Sequence, residues 1–178
     1  RDDTRWPTDP EAIFHVGIFS YTQSEFSFNV WTDKTVGTLQ ESIPQVGHAE
    51  ILKVVYYEYT LPASENFTIS VTPRGGDMDI FVTTDPNIKP DSQKNATWYG
   101  TDIGFDTVAI NDNHPKYVGA GNKYYIGIKG YSYNRLFTIF VTLNNNYTRI
   151  MEGIPLSTYA EGHEFRYFEF DVTSDYGG

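Results

Sequence analysis

The sequence predicts an all-β protein: a jelly-roll-like antiparallel β-sandwich, carried as a tandem repeat. Three observations lead there. Apolar and polar residues alternate with a period of two in segment after segment, the pattern of half-buried strands. Turn signals such as Pro73-Arg74-Gly75-Gly76, Lys89-Pro90-Asp91 and Gly119-Ala120-Gly121-Asn122 separate those segments, and no run of a dozen residues carries a capped helical pattern. The chain also copies itself. Ile43-Pro44 returns as Ile154-Pro155, and Tyr56-Tyr57-Glu58-Tyr59 as Tyr167-Phe168-Glu169-Phe170, each with the same displacement of 111 (154 − 43 and 167 − 56).

The strands follow in chain order. Val55, Tyr57, Tyr59 and Leu61 fall on one face of the first strong segment; Phe168, Phe170 and Val172 repeat that face in the copy, with Tyr167, Glu169 and Asp171 outward. Phe67, Ile69 and Val71 alternate with Asn66, Thr68 and Ser70, and Met78, Ile80 and Val82 with Asp77, Asp79 and Phe81. Tyr124 to Tyr131 forms a further strand, of which Ile126-Gly127-Ile128 has an upstream counterpart in Val16-Gly17-Ile18, displaced by 110. Phe137, Ile139 and Val141 match Phe26, Phe28 and Val30. The β-branched and aromatic content of these segments suits a pleated, packed surface.

A period this long marks a repeated domain, because solenoid and propeller units run to roughly 20–50 residues. The 178 residues therefore hold about 1.6 repeats (178/111). The expected division is residues 1–34 as the C-terminal part of a preceding repeat, 35–143 as a complete sandwich, and 144–178 as the N-terminal part of a following one.

Composition narrows the function. A net charge of −10 with scattered acids lacks the basic stripe of a nucleic-acid footprint and the attraction to anionic lipid. The absence of cysteine removes disulfides, zinc–thiolate sites and thiol nucleophiles. No apolar run reaches the ~20 residues of a membrane-spanning helix. The chain opens on Arg1 rather than Met, as a processed chain or a fragment does.

Catalytic signatures are missing. His15, His48, His114 and His163 form no His-Glu-x-x-His pattern, and no Gly-x-Ser-x-Gly elbow is present. The sharpest carboxylate pair is Asp77 and Asp79, two residues apart on a strand and so ~7 Å apart on one face. The first reading gives them backbone N–H groups to accept from, as at an Asx turn. A second gives them a hard cation such as calcium, with Asp102, Asp106 or Asp112 adding oxygen ligands. A third is a glycosidase pair. No cofactor is otherwise called for. Asn66-Phe67-Thr68, Asn95-Ala96-Thr97 and Asn146-Tyr147-Thr148 are N-glycosylation sequons, placed on an outward strand position, in a polar loop and at the junction. Tyr56, Trp98, Tyr99, Tyr131, Tyr133 and Phe140 fall outside the inward registers or in loops, as surfaces for sugars or neighbours do.

Two motifs carry a family resemblance: Gly76-Asp77-Met78-Asp79-Ile80-Phe81-Val82, and Tyr124-Tyr125-Ile126-Gly127-Ile128 with Tyr131. With the Ile-Pro lead-in and the aromatic strand Tyr56–Leu61, this order resembles the bacterial pre-peptidase C-terminal domain, a small jelly-roll sandwich appended to secreted enzymes. The resemblance covers one full repeat, and the flanking pieces in part. It implies a non-catalytic module, and the family's calcium-binding members keep the cation reading open. The expected departure from that family is that tandem copies stand without a peptidase.

The sequence therefore points to a structural, extracellular glycoprotein. Its partners would be copies of itself in a linear polymer and covalent glycans, with no nucleic acid and no membrane insertion. The alternative is a carbohydrate- or matrix-binding accessory module of a secreted enzyme.

Overall fold

The computed structural model describes residues 13, 15–23, 36–133, 136–143, 147–150, 153–158 and 165–170. Asn146, His163, Val172 and the Phe26–Val30 match lie outside them. Eleven strands occur among the described residues, and no helix. They are β1 (Gly37–Thr38), β2 (Gln45–His48), β3 (Val54–Thr60), β4 (Phe67–Pro73), β5 (Met78–Thr83), β6 (Trp98–Gly100), β7 (Asp106–Ile110), β8 (Lys123–Gly130), β9 (Leu136–Leu143), β10 (Thr148–Arg149) and β11 (Phe168–Glu169).

β1 to β9 form the sandwich. One sheet has the order β1-β3-β8-β5-β6 and the other β2-β9-β4-β7. All pairings are antiparallel except at one edge, where β1 runs parallel to β3. The period-two pattern explains the core. Tyr57 and Tyr59 of β3, Phe67, Ile69 and Val71 of β4, Met78, Ile80 and Val82 of β5, and Phe137, Ile139 and Val141 of β9 meet between the sheets. Phe67 is the aromatic hub, 4.8 Å from the Tyr124 ring edge-on and 5.4 Å from Tyr59. Edge-on contacts of this kind match the positive rim of one ring to the negative face of the other. The Tyr124 hydroxyl donates to Val118 O at 2.8 Å and accepts from Val118 N at 3.0 Å, so this buried ring keeps its polar end satisfied.

The outer faces depart from the sequence reading. Thr68, Ser70 and Thr72 of β4 and Thr138, Phe140 and Thr142 of β9 stand on the face away from the core, yet all are buried. Thr148 and Ser157 reach this face. Ser157 N donates to Thr72 Oγ1 at 2.8 Å, and the Thr142 and Thr148 hydroxyls lie 3.3 Å apart. Phe140 and Trp98 are thus not surface aromatics: Phe140 is 1% exposed, and Trp98 packs in the core 5.9 Å from Tyr124. On the other sheet Phe81 is also buried, and the loop after β5 crosses β8 closely enough that a Cβ on Gly127 would collide with the Pro90 carbonyl.

Candidate functional site

Four of the five predicted acids come together. Asp77 precedes β5, and its Oδ1 accepts from Gly104 N at 3.0 Å. Asp79 lies within β5, buried and bonded to the Tyr131 side chain. Asp106 opens β7 on the same face as core residues Val108 and Ile110, beside Gly100, where an added Cβ would meet it at 3.1 Å. Its Oδ1 accepts from Asp102 N at 2.9 Å, while Oδ2 is buried without a hydrogen-bond partner. Asp112 is at the opposite end of β7, where its N–H donates to Asn66 Oδ1 at 2.7 Å.

Burial dominates the electrostatics of this cluster. It pushes the Asp106 carboxyl up to about 6; the Asp102 N–H opposes it, and the charges of Asp79, Asp102 and Asp77 add to it. Burial also raises Asp79, against a lowering contribution from the Tyr131 hydroxyl, with Asp77 raising it further and Lys129 lowering it. Tyr131 is correspondingly pushed up to about 12, by burial first and then by its bond to Asp79. Among the described residues no group of three or more His, Asp or Glu side chains is disposed to hold a metal ion. Asp77 and Asp106 instead serve backbone N–H groups, tying the 102–104 turn to the starts of β5 and β7.

Beside the cluster, an open groove of about 470 Å³ runs along the outer face of the five-stranded sheet. Asp79, Phe81, Asp91, Lys94, Lys129 and Tyr131 are among its walls. It carries charges of both signs, and Lys129 Nζ sits 5.5 Å from the Tyr131 ring centre, a cation–π contact that occupies the exposed aromatic.

The sequon asparagines differ in their surroundings. Asn66 is half-buried at the start of β4 and uses only Oδ1, leaving Nδ2 as the atom a glycan would take. Asn95 is built into its loop. Its Oδ1 accepts from Asp91 N and Ser92 N at 3.1 and 3.2 Å, and its Nδ2 donates to Lys89 O and Asp91 Oδ1 at 3.1 and 3.0 Å. A glycan on Nδ2 would remove one of those two donors.

The last feature is a ribbon after the sandwich, where β10 and β11 pair in parallel, Thr148 with Phe168 and Arg149 with Glu169. The β1·β3 edge pairs Gly37 with Tyr57 and Thr38 with Glu58. Adding 111 to each number of the second pairing gives the first. The flanking hydrogen bond shifts likewise: Leu39 N to Glu58 O at 2.9 Å becomes Ile150 N to Glu169 O at 2.8 Å. So does the backbone before the Ile-Pro pair, with φ of +57° at Ser42 and +71° at Gly153, both left-handed. Phe168 and Phe170, the inward positions of the copy, are exposed, because no second sheet covers them among the described residues. Sequence reasoning found the two copies of this segment but not the parallel pairing they share, since a two-residue strand has no periodicity to read.

No protein-family model and no curated protein matches the chain. Solved structures do. The chain is similar to a pre-peptidase C-terminal domain. That domain belongs to a collagenase from Bacillus anthracis; it is 16% identical, with a TM-score of 0.43, and the match covers 62% of this chain and 97% of that one. A second match is PliG from Aeromonas hydrophila, a periplasmic inhibitor of g-type lysozyme, at 15% identity and a TM-score of 0.38, covering 60% of this chain and 96% of that one. Among the described residues no helix is long and apolar enough to cross a membrane.

Proposed function

We propose that the chain is a structural subunit of an extracellular, glycosylated fibre or surface array, built head-to-tail from repeated β-sandwich domains. The reading rests above all on the constant shift that relates the β1·β3 pairing to the β10·β11 pairing. Equivalent residues make an equivalent edge twice, once inside a sandwich and once on a ribbon that has only its first two strands among the described residues. Thr148 and Arg149 of the ribbon and Ser157 beyond them are bonded to the sandwich through Thr142, Ser42 and Thr72, so successive units would be held in a defined relation. A module that serves only as structure needs no catalytic pair, and the acidic cluster here ties turns to strands. Of the two sequon asparagines among the described residues, Asn66 is the preferred glycan acceptor, because substituting its Nδ2 costs the fold no internal bond whereas Asn95 Nδ2 makes two. Electron microscopy and intact mass of the protein from its natural source test the proposal. Regular filaments carrying extra mass that peptide-N-glycosidase removes are expected. Monodisperse, unglycosylated monomers across the accessible concentration range would overturn it.

A further inference from the structure

β11 is half of a strand pair. In the sandwich, β3 takes β1 on one edge and β8 on the other. β11 takes β10 on the first edge, and among the described residues no strand pairs with its second. An open strand edge is a template for another chain. The occupant that fits is specified by the β3·β8 register, in which Tyr56 pairs with Gly127, Tyr57 with Ile126 and Glu58 with Tyr125. On the β11 side those positions become Tyr167, Phe168 and Glu169. On the β8 side the matching stretch is His15-Val16-Gly17, displaced by 110 (127 − 17). We infer that residues 15–19 of a second copy add to the open edge of β11 as an antiparallel strand, with Gly17 opposite Tyr167, Val16 opposite Phe168 and His15 opposite Glu169. The inference rests on the array reading above and names the contact that would join its units.

Three observations support that occupant. First, both segments expose apolar side chains a monomer has no reason to show: Phe19 is 79% exposed, Val16 61% and Phe165 79%. Val16 and Phe168 would take the places of Ile126 and Tyr57, both core residues of the complete sandwich. Second, the register sets no like charges against each other. In β3·β8 Glu58 lies directly opposite Tyr125, and the new pair sets the His15 imidazole directly opposite Glu169. Like charges directly across a ladder destabilise it, and this pairing has none. Third, alternation fixes the register: a slip of one residue turns Val16 outward and His15 in toward the apolar face.

The absence of native cysteine makes the register measurable by cross-linking. Directly paired residues in an antiparallel ladder have Cα atoms ~4.5–5.5 Å apart, within disulfide reach, whereas neighbours on the opposite face point away. A Cβ at Gly17 meets nothing within 4 Å, so cysteine is accommodated there. Gly17→Cys and Tyr167→Cys chains are mixed under oxidised glutathione beside an Ile18→Cys and Tyr167→Cys mixture, and sedimentation follows assembly in both. The inference expects an intermolecular disulfide at about tenfold higher yield in the first mixture. It also expects His15→Glu to suppress that yield and Glu169→Lys to restore it. Assembly without preferential 17–167 cross-linking would overturn the register while leaving the array reading intact. Neither assembly nor cross-linking would overturn both.

Discussion

Replacing Asp106 with asparagine should stabilise the protein as the pH rises above ~4, with the full advantage reached above pH ~6. The side chain is 2% exposed; one oxygen accepts from Asp102 N and the other is buried unpaired. Burial holds its carboxyl at about 6, against ~3.9 for an unfolded aspartate. A folded-state value above the unfolded one means the native state keeps a proton that the unfolded chain has released. Stability is therefore full below pH ~4 and declines as pH rises through the window to about 6. Two pH units correspond to ~3 kcal/mol, and partial solvation at the sheet edge reduces this to ~1–2 kcal/mol. The asparagine amide would keep an oxygen acceptor for Asp102 N, lose the charge, and present an N–H donor toward the acidic neighbours. Urea unfolding of both proteins at pH 4 and pH 8 checks it. Near-equal stability is expected at pH 4, and an advantage of ~1–2 kcal/mol for Asp106→Asn at pH 8. A variant weaker than the parent at pH 8, or a difference that does not change with pH, would refute the reasoning.

Other perturbations follow from the same geometry. Ser42 holds a left-handed φ of +57° and a buried hydroxyl without a partner, so Ser42→Gly, the residue at the shifted position 153, should raise stability by about 1 kcal/mol in thermal unfolding. Gly127→Ala drives a Cβ into the Pro90 carbonyl and should cost ~1–3 kcal/mol, whereas Gly17→Ala meets nothing and should leave the monomer's melting temperature unchanged. Phe140→Ala removes a fully buried ring from a face the sequence reads as solvent-exposed; a loss of ~3–5 kcal/mol in urea unfolding is expected, against under ~1 kcal/mol for a true surface site.

The fold was legible where alternation ran long. β3, β4, β5, β8 and β9 each show five or more residues of period two, and their inward sets are the core. β6 and β7 escaped notice because a three-residue strand and a five-residue strand opening on Asp106 are too short and polar to show a period. The outward residues misled for a different reason. Thr68, Ser70, Thr72, Thr138 and Thr142 suit a wet face, yet hydroxyls also suit a covered one: Thr72 accepts from Ser157 N, and Ser70 and Thr142 lie within hydrogen-bond reach of the Thr107 and Thr148 hydroxyls. Asp77 and Asp79 were visible as a pair, with Asp102, Asp106 and Asp112 as candidates to join them; only the sandwich decides between these, bringing Asp106 at the head of β7 to the pair and leaving Asp112 at the far end. The repeat was plain in the Tyr-Tyr-Glu-Tyr copy, while the parallel pairing it relates needed coordinates.

Hydrogen exchange resolves the joining of units at the level of single peptides. Amides of residues 15–19 and 166–170 are compared between monomeric and assembled fractions, with β8 and β3 as fully protected references. Protection of both segments together, gained on assembly and lost on dilution, is the result expected of copies joined through β11. Assembled material in which 166–170 still exchanges as freely as in the monomer would contradict it.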